Sequence, residues 1–126
     1  DPDGVGFRFD TRAGMISYVG DSEIDERLFS VHRGARVLII NLTCTTRTRI
    51  PMHMYTETAA ALISDIGPEA AVLTHFGIGV FEDGVEEQVR YIEKESGVRT
   101  IAAEDLMTIE VGREIVSRPA GPPPRR

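Results

Sequence analysis

The sequence has few of the residues that carry disulfide or metal chemistry in small proteins. It contains one cysteine, three histidines and no tryptophan in 126 residues. The single thiol, Cys44, has no second cysteine with which to form an internal disulfide, and it excludes a cysteine-rich zinc site. Histidines and carboxylates must therefore supply the ligands of any metal site.

Long apolar runs are also lacking. No stretch approaches the ~20 apolar residues that a membrane-spanning helix needs, and the opening Asp-Pro-Asp-Gly does not resemble a signal peptide. We therefore expect a cytoplasmic protein without membrane contact. The net charge of -6 disfavours nonspecific binding to nucleic acid, because such binding needs lysines and arginines to neutralise phosphates.

Strand-like and helix-like segments alternate along the chain. Aliphatic runs indicate buried strands, and apolar residues three and four positions apart indicate helices. The predicted elements are a hairpin over 7–19, a helix over 23–33, a strand over 37–42, a helix over 55–66, a strand over 70–74, a helix over 85–96, and strands over 98–102 and 106–111. This order predicts an α/β fold with a partly parallel sheet. We assign residues 1–115 to one domain and residues 116–126, rich in proline and arginine, to a disordered tail.

Three polar side chains follow predicted strands. Asp21 comes after the hairpin, His53 lies in the irregular loop after the strand over 37–42, and His75 follows residues 70–74 directly. Because ligands of α/β sheets collect beyond the carboxyl ends of strands, we expect these side chains on one rim of the sheet. Aspartate and histidine together suit a borderline metal such as zinc.

Each of these residues also has an ordinary structural interpretation. Asp21, before a helix, is typical of a cap or turn residue. His75 fits a hydrogen-bonded histidine of the core, and His53 fits a surface loop. We interpret His32, near a helix end, as a residue favoured by the negative end of the helix dipole rather than as a ligand.

Four segments, in order, resemble the metallo-β-lactamase superfamily. Residues 16–23, ISYVGDSE, resemble the segment in which an aspartate after a strand bridges two metal ions. Residues 72–77, VLTHFG, are similar to the later segment whose histidine completes the second metal site. Between them, residues 32–41 are similar to the family's helix-to-strand passage, and residues 49–59 resemble a loop of the branch that includes ribonuclease Z and related phosphodiesterases.

The resemblance implies the C-terminal half of an αββα sandwich, with one mixed sheet and helices mainly on one face. It implies that Asp21 and His75 bind a divalent metal, zinc in the first place, with manganese or iron as alternatives. His53 would act as a proton donor or phosphate contact, and Arg47 or Arg49 would hold a phosphate. The implied reaction is hydrolysis of a phosphoester or another ester by metal-activated water.

The sequence also departs from the family pattern. The His-x-His-x-Asp-His motif, which supplies most metal ligands, is absent, and so is a further histidine ligand before Asp21. Asn41 stands where the tRNA-processing branch often has glutamate. We therefore expect the isolated chain to bind metal weakly and to be inactive without an N-terminal half, with nucleic acid only as a substrate of the complete enzyme. The alternative is a noncatalytic half-domain that serves assembly or binding.

An isolated half of this sandwich would expose an apolar sheet face. The aliphatic strands predicted at 37–42 and 70–74 lack the polar alternation of a strand with one face in water. The sequence therefore predicts either a homodimer through the sheet face or docking of the N-terminal half.

Overall fold

The computed structural model describes residues 6–20 and 26–121, and a mixed sheet of five strands forms its centre. The strands are β1 (Phe7–Thr11), β2 (Gly14–Val19), β3 (Ala35–Asn41), β4 (Ala70–Thr74), β5 (Arg99–Ala102), β6 (Thr108–Val111) and β7 (Ile115–Arg118). The helices are α1 (Glu26–His32), α2 (Thr56–Ile66), α3 (Ile78–Asp83) and α4 (Val85–Ser96).

The sheet has the order β1-β2-β3-β4-β5, and only β1 runs antiparallel to its neighbour. Parallel neighbours need crossover connections, and helices follow β2, β3 and β4 in the chain. The β1–β2 hairpin turns at Gly14, whose φ of 118° is a conformation that few side chains tolerate. The predicted mixed sheet with interleaved helices is confirmed.

All helices that contribute to the main core pack on one face of the sheet. The sheet supplies Val19, Leu38, Ile40, Ala71 and Leu73 to this core, and each alternates along its strand with a residue of the opposite face. The helices contribute Ala59, Leu62, Ile63, Val80 and Ile92. Helices on one face were predicted, and the described residues confirm it.

The opposite face is only partly open, which corrects the expectation of a bare apolar sheet. The antiparallel β6–β7 hairpin packs Ile109, Val111 and Ile115 against the part of this face formed by β3, β4 and β5. Phe7 and Phe9 of β1 lie on the same face beyond the hairpin and remain 51% and 55% exposed. Among the described residues, the exposed large apolar side chains of this face are therefore those of β1.

Several elements differ from the sequence-based expectation. Helix α3 and strand β7 were not predicted, and β7 extends ordered structure to Arg118, beyond the predicted domain boundary at residue 115. The predicted helix over 23–33 is described from Glu26, and its suggested N-cap, Ser22, lies outside the described residues. Within the described parts of the chain, no helix has the length and apolar character to cross a bilayer.

His32 is buried, which bears on its interpretation as a residue favoured by the negative end of the helix dipole. It ends α1 with only 2% of its surface exposed. Burial lowers the pKa of His32, and the positive charge of Arg8 lowers it further. A neutral ring contributes no cation to the helix end, so the dipole is not the reason for its position.

Candidate functional site

The candidate site lies at the carboxyl ends of the parallel strands. Asn41 and Thr74 are paired in register at the ends of β3 and β4, and the amide of Leu42 continues this ladder by donating to the carbonyl oxygen of Thr74 at 2.9 Å. His75 is the next residue after β4. Asp21, two residues beyond β2, lies outside the described residues.

The chain bends sharply at His75. Its φ of 58° lies in the left-handed region, which is uncommon for residues other than glycine and costs of order 1 kcal/mol or more. Such conformations cluster at functional sites because the surrounding structure must hold them. His75 is exposed at the rim. The location and the strained backbone agree with a functional role for this residue.

The loop after β3 is held against the segment after β4. The amide of Gly77 donates to the carbonyl oxygen of Thr43 at 3.0 Å. The Thr45 hydroxyl donates to Asp83 Oδ2 at 2.6 Å, and the Thr45 amide donates to Thr48 Oγ1 at 3.0 Å. We call the contacts that join the loop over 43–54 to the segment over 77–83 the loop clamp, and the bond between Thr45 and Thr48 holds the shape of the loop on one side of it.

Arg47 is part of the loop clamp. Its guanidinium lies 2.6 Å from Asp83 Oδ1 and 3.5 Å from Glu82 Oε2. The hydrogen bond from Arg47, and a second from Thr45, lower the pKa of Asp83, and the same Asp83 contact raises the pKa of Arg47. To bind a phosphate as predicted, Arg47 must first break its ion pairs with Asp83 and Glu82.

Arg49 is held differently. Its guanidinium carbon lies 4.2 Å from the centre of the Tyr55 ring, within the range of a cation–π contact. Tyr55 also closes the loop, through a bridge with Cys44. Among the described residues, the exposed Arg49 therefore has its charge supported by a ring and by no carboxylate.

His53 lies in a tight turn of the same loop. Its amide donates to the carbonyl oxygen of Ile50 at 3.2 Å, and Met52 adopts a φ of 67°. The Nδ1 atom of His53 is 2.9 Å from the carbonyl oxygen of Pro51, which can only accept a hydrogen bond. Nδ1 therefore donates this hydrogen bond, which leaves Nε2 as the ring nitrogen open to other contacts.

The described residues do not complete a metal site. No group of three or more histidine, cysteine, aspartate or glutamate side chains within residues 6–20 and 26–121 is arranged to hold a metal ion. A catalytic zinc normally takes three protein ligands and an open position. The residues that the structure brings together at this rim therefore do not, by themselves, fit the metal that the resemblance implies.

Sequence reasoning missed the residue Asp83 near the rim, and it missed the contact made by Asn41, a residue that it had named. Asp83, the centre of the loop clamp, lies in a helix that the pattern did not predict. Asn41 accepts a hydrogen bond from the Tyr18 hydroxyl at 3.1 Å and is nearly fully buried. A polar residue that ends an otherwise aliphatic run is the signal that identifies Asn41; no comparable signal exists for Asp83.

Comparison with known families identifies the class of protein. A family model described as "Beta-lactamase superfamily domain" matches residues 2–76, more than half of the chain. The chain therefore belongs to the β-lactamase superfamily, as the four sequence segments indicated. No curated protein matches its sequence.

Solved structures with the same fold are larger than this chain. The metallo-beta-lactamase fold protein YhfI from Bacillus subtilis matches with a TM-score of 0.67 and 16% identity, over 90% of this chain and 44% of its own length. A diphosphatase from the PhnP family matches with a TM-score of 0.53 and 13% identity, over 71% of this chain and 32% of its own. The predicted metallo-β-lactamase-type α/β fold is confirmed, and the chain spans less than half the length of either structure.

Proposed function

We propose that this chain forms part of the active site of a metal-dependent hydrolase that cleaves a phosphoester or another ester. The observation that carries the proposal is the strained His75 at the end of β4, on the rim where α/β sheets bind their ligands. Membership of the β-lactamase superfamily supports it. The similarity to a structure named as a diphosphatase favours a phosphoester among the ester substrates.

In this proposal His75 and Asp21 bind a divalent metal, zinc in the first place, with manganese or iron as alternatives. Such a metal activates water for attack on an ester. Since the described residues do not complete its site, the remaining ligands must come from outside them. We therefore propose that the isolated chain binds metal weakly and does not turn over substrate.

The contacts of the loop residues bear on the roles that we propose for them. His53, with its proton on Nδ1, presents Nε2 as an acceptor, and it becomes a proton donor at that atom only when the ring is doubly protonated. Within the described ranges, Arg49 contacts the Tyr55 ring and forms no ion pair, whereas Arg47 is engaged by Asp83 and Glu82. Arg49 is therefore the better placed of the two arginines to bind a phosphate.

An activity assay tests this proposal. The 126-residue chain and the longest natural gene product that contains it are each assayed with a chromogenic phosphodiester and zinc, manganese or iron(II). We expect turnover only from the longer product, and we expect a chelator or His75→Gln to lower it by roughly a hundredfold or more. Turnover that survives both treatments would contradict the assigned role of His75.

A second candidate function is noncatalytic assembly, favoured by the exposed rings on β1. Phe7 and Phe9 stack with centroids 6.2 Å apart, and Phe7 also stacks on Tyr18 at 6.4 Å. An aromatic patch on an edge strand is typical of an interface. We propose that it binds a second copy of this chain or the N-terminal half of the complete protein.

A further inference from the structure

A pocket of about 730 Å³ opens beside His75, at the carboxyl ends of β4 and β5. Phe76 and Phe81 contribute aromatic rings to its lining, and Val85 and Val89 contribute the apolar part that we call the α4 floor. This volume is sufficient for a small organic molecule. The pocket contains none of the loop residues, such as His53 or Arg49, that the proposed function uses.

The aromatic side of the pocket is open to a ligand. The rings of Phe76 and Phe81 meet edge to face, with centroids 5.9 Å apart and an interplanar angle of 84°. Phe81 nevertheless keeps 63% of its surface exposed, so one face of its ring is available. Leu106, directly after the pocket residue Asp105, is 86% exposed. Apolar surface of this kind binds an aromatic or aliphatic body.

Apart from His75, the ionisable side chains that line the pocket are all acidic. Three carboxylates line it, from Glu86, Glu104 and Asp105, and none of its described lining residues is lysine or arginine. Within the described residues, no ion pair engages these carboxylates. An anionic ligand would meet repulsion here, whereas a cation would find both carboxylates and the negative face of an aromatic ring.

We propose that this pocket binds compounds that join an aromatic or apolar body to a protonated amine. The body packs on Phe81 and the α4 floor, and the ammonium group lies among Glu86, Glu104 and Asp105. The binding itself requires no metal and does not depend on hydrolysis. A second step does rest on the proposed function: because His75 lines the same pocket, the hydrolase would select esters whose organic part carries an amine.

Binding is tested with two probes of similar shape and opposite charge, phenethylamine and 3-phenylpropionate. Each is titrated into the metal-free chain in the presence of a chelator, and amide chemical shifts are followed by NMR. We expect phenethylamine to shift residues 75–81 and 102–106 and to bind roughly tenfold more tightly than the anion. Raising the salt concentration from about 50 to about 500 mM should weaken the binding of the amine severalfold, because exposed charges are screened.

Exposed positions allow variants that leave the fold intact. The double substitution Glu104→Gln with Asp105→Asn should lower the affinity for phenethylamine roughly three- to tenfold. Glu114→Gln removes an exposed carboxylate outside the pocket and should leave this affinity unchanged. Phe81→Ala should lower the affinity for phenethylamine about threefold, and its matched control Phe9→Ala should not change it.

Two outcomes would overturn the proposal. One is equal affinity for the two probes, and the other is an unchanged affinity in the pocket variants. Because these titrations contain no metal and no ester, they leave the hydrolase proposal untouched. Conversely, a gene product without hydrolytic activity leaves the pocket assignment standing.

Discussion

The amide of Gly77 donates a hydrogen bond to the carbonyl oxygen of Thr43 across 3.0 Å, which joins the segment after β4 to the loop after β3. A Cβ atom added at Gly77 would collide with that same oxygen. The relative position of His75 and the loop that carries His53 therefore depends on a residue without a side chain.

Gly77→Ala should disrupt the loop clamp. The added methyl group meets backbone rather than a flexible side chain, so the two segments must separate. We expect a loss of about 2 kcal/mol or more in the free energy of unfolding, measured by urea denaturation. Faster hydrogen exchange at the Gly77 amide should accompany it.

Gly121→Ala serves as the control, because within the described part of the chain no atom beyond its sequence neighbours lies within 4 Å of a Cβ at that position. It should change the free energy of unfolding by less than about 0.5 kcal/mol. Equal stability of the Gly77 and Gly121 variants would show that the loop and the β4 segment are not held by this contact.

Arg47→Gln should raise the pKa of Asp83 toward the ordinary value of an aspartate. The hydrogen bond from Arg47 is the largest cause of the lowered pKa, and the bond from Thr45 remains in the variant. An NMR pH titration of the Asp83 carboxyl carbon measures the change. Arg33→Gln, which breaks the exposed pair with Asp65, should leave Asp83 unaltered.

The lowered pKa of Asp83 determines how the stability of the loop clamp depends on pH. Because the pKa of Asp83 is lower in the folded chain than the roughly 3.9 of an unfolded aspartate, the contact stabilises the clamp above that pH. The stabilisation is lost as the pH falls through the folded pKa. Protection of the Thr48 amide that persisted in strong acid would contradict the role of Asp83.

His32 should make the fold less stable in mild acid. The pKa of His32 is lowered by burial and by Arg8. The His32 ring therefore takes up a proton near pH 6.5 in the unfolded chain, whereas the same ring in the folded chain is still neutral at that pH. The free energy of unfolding should fall as the pH decreases below about 6.5, by at most about 1.4 kcal/mol per pH unit.

Urea denaturation between about pH 7.5 and pH 5.5 checks this dependence on His32. His32→Leu removes the titrating group and should flatten the slope, whereas Ser30→Ala, on an exposed neighbour in α1, should preserve it. The same slope in wild type and His32→Leu would mean that another group is responsible.

The sheet and its main helices were predictable from sequence because their apolar residues have a clear period. The strand Ala70–Thr74 and the helix ends at Gly67 and Gly97 occur where the pattern placed them, and both glycines adopt left-handed φ values. These elements depend on local chemistry: an aliphatic run buried on two faces, and a residue that tolerates positive φ.

The features that sequence did not predict depend on distant contacts. Helix α3 is short and leaves Ile78 and Phe81 exposed, so it lacks an amphipathic pattern. Strand β7 becomes recognisable only through its pairing with β6 over the sheet. The contact between Arg47 and Asp83 spans 36 positions in the chain, and charge alone does not select that pair among the many acids.

The aromatic patch on β1 should support self-association. Light scattering after size exclusion at low micromolar concentration should give a mass above the 13.9 kDa of one chain. Phe7→Ser with Phe9→Ser should reduce the mass to that of a monomer, because both rings are removed from the exposed sheet face. Phe81→Ser also removes an exposed aromatic ring, but outside this face, and it should leave the oligomer intact.

A wild-type chain that already runs as a monomer would exclude the homodimer. An oligomer that survives both β1 substitutions would place the interface elsewhere.

The most direct test of the central claim is a zinc titration of the chain followed by NMR of its histidine ring nitrogens. If His75 is a metal ligand in a site that the chain does not complete alone, zinc should perturb the His75 ring, with half-saturation no tighter than micromolar. His75→Gln should abolish this binding, and His53→Gln should preserve it. Submicromolar affinity, or zinc binding that persists in His75→Gln, would contradict the account.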